Sequence, residues 1–308
     1  MPTSSIETDD HSWLASLWPE HLRFFHALDL KETVTEYERF SVVPNTTAGY
    51  REWAYVGRNP AERDATRGLL LLYKSPPSLR NAPHDALFPV GIRVQGFIER
   101  CNMKTLGTWA SGRTPASALH FIVLSGGKEY ADVFAQYKAA VRATVEYIFR
   151  CLDVQPSVDD EDPDTMFITR RVFTKVTGSN RMKPSALERG DDPLGVCQAV
   201  ERDWRILSKP SVGMYVADDV DPSESVIAPC DGMALTAGDF VDVCVGFDIM
   251  HKRTRTGEVS VQVHLKLEHV MLLAPAEENV AQIPHTDLAP KAEGTTDVTV
   301  QNPGMTFF

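Results

Sequence analysis

No stretch of this chain is long and apolar enough to cross a bilayer as a helix, which takes roughly 18–20 such residues. Its longest apolar runs, such as Leu69–Tyr73, are strand-sized. The first residues are polar and acidic, without the basic start and apolar stretch of a secretory leader, so an intracellular protein with no membrane partner is expected. Cysteine is sparse: Cys101, Cys151, Cys197, Cys230 and Cys244 lie far apart, with no C-x-x-C pair. An odd number at such spacing argues against a disulfide framework and a local zinc site, and predicts reduced thiols, several of them buried. Catalytic signatures are missing as well. The chain has no G-x-S-x-G elbow, no H-E-x-x-H, no Walker A loop and no G-x-G-x-x-G. No cofactor or metal is expected, and function has to be sought in a fold and a surface.

What is present supports a packed core. Of 308 residues 43% are hydrophobic and 24% charged, enough for one large domain or two ordinary ones. The net charge of −11 is unevenly placed. Asp153–Thr165 carries −6, Ala276–Phe308 carries −4 and the first ten residues −3, so the rest of the chain sums to +2. A near-neutral body with an acidic linker and two acidic ends does not exclude a polyanionic partner.

Periodicity predicts the elements. Apolar residues at three- and four-residue spacing predict helices over His11–Leu30, split at Pro19, and over Lys128–Leu152, where Tyr130, Val133, Phe134, Tyr137, Val141, Val145, Ile148, Phe149 and Leu152 recur at that spacing. Strands are predicted at Leu69–Lys74, Pro89–Arg100, Leu119–Leu124 and Met166–Thr177, and a helix at Leu194–Leu207. The strongest β signal is Asp239–Met250 followed by Glu258–Leu273. Val241, Val243, Val245, Phe247 and Ile249 alternate in the first, and Val259, Val261, Val263, Leu265, Leu267 and Met271 share a face of the second. The polar connection His251–Gly257 makes this a long antiparallel hairpin with a basic tip. On the second strand, alternation sends His264 to the surface and His269 to the core.

These elements divide the chain into a disordered acidic N-terminus (1–10), an α+β region ending in the long helix (11–152), an acidic linker (153–165), a β-rich region with the hairpin (166–275) and a flexible tail (276–308). The fold class is α+β, mainly antiparallel sheet, with one long packed helix and a long C-terminal β-hairpin.

Two segments stand out as candidate sites. Along Phe167–Thr177, strict alternation puts Phe167, Arg171, Phe173 and Lys175 on one face. Met166–Lys183 holds five bases, Arg170, Arg171, Lys175, Arg181 and Lys183, and no acid. Rings interleaved with cations suit single-stranded nucleic acid, whose bases stack while its phosphates meet the cations. The competing reading tucks the two rings under the long helix and leaves an ordinary basic edge strand. The hairpin tip, with His251, Lys252, Arg253 and Arg255, is the second candidate; tip cations also serve solubility. Ser125-Gly126-Gly127-Lys128, placed before a helix, reads as a turn rather than a phosphate cradle.

The order of three strands, the long helix and further strands resembles the OB-fold, as does Gly238-Asp239-Phe240-Val241-Asp242-Val243, a Gly-Asp followed by alternating valines. An acidic linker and a tail ending in Phe307-Phe308 are similar to features of OB-fold single-stranded-DNA-binding proteins. That resemblance implies an OB-like barrel with large insertions; together with the two candidate segments it leads to an expected non-enzymatic binding of nucleic acid, preferably single-stranded DNA, through Phe167, Arg171, Phe173, Lys175, Arg181, Lys183 and the tip. Two other classes stay open: a structural or assembly protein forming homo-oligomers, and an enzyme whose residues meet only in three dimensions.

Overall fold

A computed structural model of the chain describes residues 43–58, 68–74, 88–110, 113–127, 130–155, 162–176, 192, 195, 197, 200–207, 209–216, 226–253 and 259–276. The expected helix at 11–30, the two termini (apart from Ala276), Arg181, Lys183 and Arg255 lie outside the described residues.

The described elements run α1 (Thr47–Trp53), β1 (Ala54–Arg58), β2 (Leu69–Tyr73), β3 (Ile92–Asn102), β4 (Leu119–Ser125), α2 (Ala131–Cys151), β5 (Thr165–Arg171), β6 (Phe173–Lys175), β7 (Trp204–Ile206), β8 (Ser211–Val216), β9 (Val226–Pro229), β10 (Phe240–Arg253) and β11 (Val259–Ala274). Five of these strands close on themselves. β10 pairs with β3 from Phe240↔Phe97 to Val245↔Ile92, β3 with β4, and β4 with β5. The parallel contact Lys266↔Thr169 joins β5 to β11, and the β10–β11 pairing completes the ring. Numbered along the chain, the barrel order is 1-2-3-5-4-1, the order of an OB barrel. Its interior is aliphatic: Ile92, Val94, Ile122, Ile168, Val243, Val245, Leu267 and Val270 are fully buried. That layer follows from alternation, which sends every second residue of each strand inward.

The resemblance counted Leu69–Lys74, Pro89–Arg100 and Leu119–Leu124 as the three strands before the helix. In the structure β2 stands outside the barrel, pairing with β1 and touching β10 at Ile249↔Leu69, on the edge that β3 leaves uncovered beyond Val245. The long helix falls between the second and third barrel strands. It approaches closely at Gly96, where a Cβ would come within 2.9 Å of Ser125 O and 3.1 Å of the Phe134 ring. Its far end is held by aromatics. Tyr50 of α1 stacks on Tyr147 at 5.0 Å, and the Tyr147 hydroxyl donates to Ala54 O at 2.8 Å. Lys138 anchors the chain re-entering the barrel, its ammonium donating to the carbonyls of Asp162, Pro163 and Thr165 at 2.5–2.8 Å. Among the described residues no helix is long and apolar enough to cross a membrane.

Three local expectations change. The hairpin is long, from Phe240↔Ala274 to Arg253↔Val259, but its register shifts between Cys244 and Val245. There Cys244 faces His269 while Val245 faces Leu267, so Glu268 is an extra residue on β11. One extra residue inverts the alternation beyond it. Val270 and Leu272 take the inward positions expected to continue through Met271, and His269 turns to the outer face, where Ser211 Oγ lies 2.7 Å from its Nδ1. The stretch 166–177 is two strands, not one. Residues 204–206, expected in a helix, form β7, paired with β6 in a separate two-stranded sheet.

Candidate nucleic-acid interface

The second and third barrel strands set the site. On β4 and β5, Ile122, Leu124, Met166 and Ile168 point into the barrel, so Phe121, Val123, Phe167, Thr169 and Arg171 point out. The pairs Phe121↔Thr169 and Val123↔Phe167 place the two phenylalanines diagonally across the ladder, their centroids 5.7 Å apart and their rings tilted by 42°. Both rings are half-buried. Thr169 lies beside Lys266 of β11, which extends the same outer face.

Cations flank the rings. Arg171, half-buried, donates from Nη2 to the Met250 sulfur at 3.0 Å. Lys266 and Arg170 both bind the carboxylate of Glu268, the bulge residue, with Arg170 Nη1 at 2.8 Å from Oε2. Glu268 thus draws Lys266 of the outer face and Arg170, which follows Ile168 in the inward row, to one carboxylate. Arrangements of this kind, rings with cations on the face of an open strand pair, can hold a flat, anionic polymer.

Phe173 is not part of that face. Alternation along an unbroken strand would align it with Arg171 and Lys175, but β5 ends at Arg171. Val172 is fully buried, its N–H donates to Ala118 O and its carbonyl accepts from Leu207 N–H. The chain resumes as β6 against β7, and Phe173, 2% exposed, fills a satellite core with Ala118, Val172, Cys197 and Ile206. A ring so enclosed has no face for a base, so its expected stacking role is withdrawn. Lys175 is exposed, on the small sheet rather than the barrel. Of the tip, His251 is half-buried, and Lys252 and Arg253 lie in β10 opposite Ser260 and Val259.

Sequence reasoning missed Phe121 and Lys266. Phe121 sits in a run apolar on both faces, where alternation carries no signal. Lys266 belongs to a polar row with Gln262 and His264 that was legible as a surface and carried no sign of its neighbour Thr169. Elsewhere on the barrel wall, Asp242 is buried and takes two bonds from Arg93, with Nε at 2.9 Å from Oδ1, and a third from Gln95 Nε2 at 2.8 Å. Asp239, also buried, accepts from Thr236 N–H at 2.7 Å and from Ala276 N–H at 2.8 Å, tying the end of the hairpin to its beginning. The Gly-Asp and alternating-valine run thus carries two structural carboxylates. Burial pushes the Cys244 and Cys197 thiols up to about 12, while Cys151 is exposed. Among the described residues no three His, Cys, Asp or Glu side chains cluster to hold a metal ion.

No family model and no curated protein sequence matches this chain. Two solved structures resemble it. A single-stranded DNA-binding protein encoded by bacteriophage T7 is 14% identical with a TM-score of 0.31, over 66% of this chain and 97% of that one. A single-stranded DNA-binding protein from bacteriophage Enc34, solved in complex with single-stranded DNA, is 16% identical with a TM-score of 0.27, over 70% and 94%.

Proposed function

We propose that this chain binds single-stranded nucleic acid, DNA in preference, without acting on it chemically. The observation that carries this reading is the half-buried Phe121–Phe167 pair set beside Thr169, Arg171 and Lys266 on one outer face. OB barrels bind oligonucleotides on the face of their second and third strands and with the loops joining strands one to two and four to five. Here those strands are β4 and β5, and the second of those loops joins β10, whose last residues include Lys252 and Arg253, to β11. Bases stack on the two rings while Arg171 and Lys266 meet phosphates.

Phe167→Leu tests it, because leucine keeps apolar packing and removes the π face. Stability is expected to change by less than about 1.5 kcal/mol, while affinity for an oligodeoxythymidylate falls by roughly 1–3 kcal/mol. Replacing Lys252, Arg253 and Arg255 together by Ser is expected to lower the slope of log affinity against log salt by about two to three units. Wild-type protein that fails to bind the oligomer at low salt, or a Phe167→Leu variant that binds it as wild type does, overturns the reading.

A further inference from the structure

The satellite core beside the barrel has a second aromatic rim. Trp109, in the loop between β3 and β4, meets the buried Phe173 edge-on, with centroids 5.2 Å apart and planes at 67°. Its Nε1 donates to Arg113 O at 3.0 Å, which fixes the indole plane. Across the small sheet Phe173 pairs with Ile206 and Lys175 with Trp204, so these four share one face. The inner end of that face, Phe173 and Ile206, is buried; the outer end, Lys175 and Trp204, reaches water. Both indoles are half-buried and pack on the satellite cluster.

This rim is continuous with the barrel face. β5 runs into β6 with Val172 alone between them. Thr108, next to Trp109, exchanges two bonds with Leu119 of β4, from Thr108 N–H to Leu119 O at 3.0 Å and from Leu119 N–H to Thr108 Oγ1 at 3.1 Å. Leu119 is the residue paired with Arg171. The loop itself depends on Gly107, at φ +55°, where a Cβ would lie 2.3 Å from Leu119 O. The Trp109 loop is therefore set against the Arg171 end of the Phe121–Phe167 face.

We infer that Trp109 and Trp204, with Lys175 beside the latter, form a second stacking subsite that takes the bases of a single strand after they leave the barrel face. The inference rests on the reading of the barrel as a single-strand binder and extends its footprint past Arg171. A directly opposed cross-strand pair has its Cβ atoms about 4.5–5.5 Å apart, so a base stacked on the Trp204 indole brings its phosphate within reach of the Lys175 ammonium. Phe173, enclosed in the cluster on which both indoles pack, does not touch the ligand.

The experiment titrates the full chain with oligodeoxythymidylates of about 4 and about 16 nucleotides, the ends of the range of site sizes for one OB barrel. Trp204→Leu and Trp109→Leu are each expected to weaken the long oligomer roughly 5- to 100-fold and to leave the short one, which fits the barrel face, within about twofold of wild type. Phe167→Leu weakens both. Trp204→Leu and Trp109→Leu proteins that melt as wild type and bind the long oligomer as wild type overturn the subsite. Should the leucine variants fail to fold, exposed Lys175→Ser decides it: the salt slope for the long oligomer falls by about one unit, or stays unchanged and the subsite is wrong. Wild-type protein that binds neither oligomer overturns the barrel reading itself, whereas loss in Phe167→Leu with silence at both tryptophans overturns only the subsite.

Discussion

Phe173 meets Trp109 edge to face, 5.2 Å between centroids, in a cluster separate from the core of the five-stranded barrel. A segment that reads as one amphipathic strand is thus split between two cores, and its central aromatic holds the smaller one together. Phe173→Ala is expected to destabilise the protein by about 3–5 kcal/mol, the usual cost of emptying a fully buried phenylalanine site. Thermal or denaturant melting measures it. A loss below about 1 kcal/mol would place the ring at a surface and contradict its burial.

The Arg93–Asp242 pair makes the opposite kind of contribution. Asp242 is buried while the Arg93 side chain keeps 27% of its exposure, and Gln95 completes the carboxylate's bonds. Removing the carboxylate with Asp242→Ala leaves a largely enclosed guanidinium without its partner, at a cost of about 3 kcal/mol, the low end for buried pairs because Arg93 retains some water. Arg93→Met with Asp242→Leu is expected to recover most of that loss, since two apolar side chains carry no uncompensated charge. Urea denaturation of the two variants reads the difference. A double variant no more stable than Asp242→Ala would mean that the bidentate pair specifies the β3–β10 register and does more than satisfy its own charges.

His120 gives the fold a dependence on pH. Its ring is 1% exposed, with Nε2 at 2.9 Å from Lys104 O. Burial, which opposes the charged form, holds its pKa below the ordinary 6.5, with the bond to Lys104 pulling the other way. A histidine with a lowered folded pKa binds its proton more readily when unfolded, so stability is full above pH 6.5 and falls as pH drops below it, until the folded pKa is reached. His269, also held low by burial, adds in the same direction. Melting temperature is expected to decline between neutral pH and mild acid, and His120→Gln to flatten that decline. A His120→Gln profile parallel to wild type would assign the acid sensitivity elsewhere.

Much of the barrel was legible in the chain. Val241, Val243 and Val245 announce an inward row because β-strands alternate and interiors are apolar, and α2 announces itself through a spacing of three and four. The nearly neutral body, once the acidic linker and ends are set aside, was legible from charge alone. Phe167 and Arg171 were placed on a common face for the same reason, and β5 keeps them there. Tertiary structure decided the rest. Glu268, one extra residue in β11, reversed the faces beyond it and moved His269 from the inside to the outside; nothing local distinguishes a bulge residue from its neighbours. The break at Val172 has the same character: an apolar residue in an apolar alternation ends a strand only because Ala118 and Leu207 compete for its backbone. Phe121, Thr169 and Lys266, far apart in sequence, become neighbours only when β5 and β11 close the ring, because pairing between distant strands is set by the shape of the whole barrel and leaves no local mark.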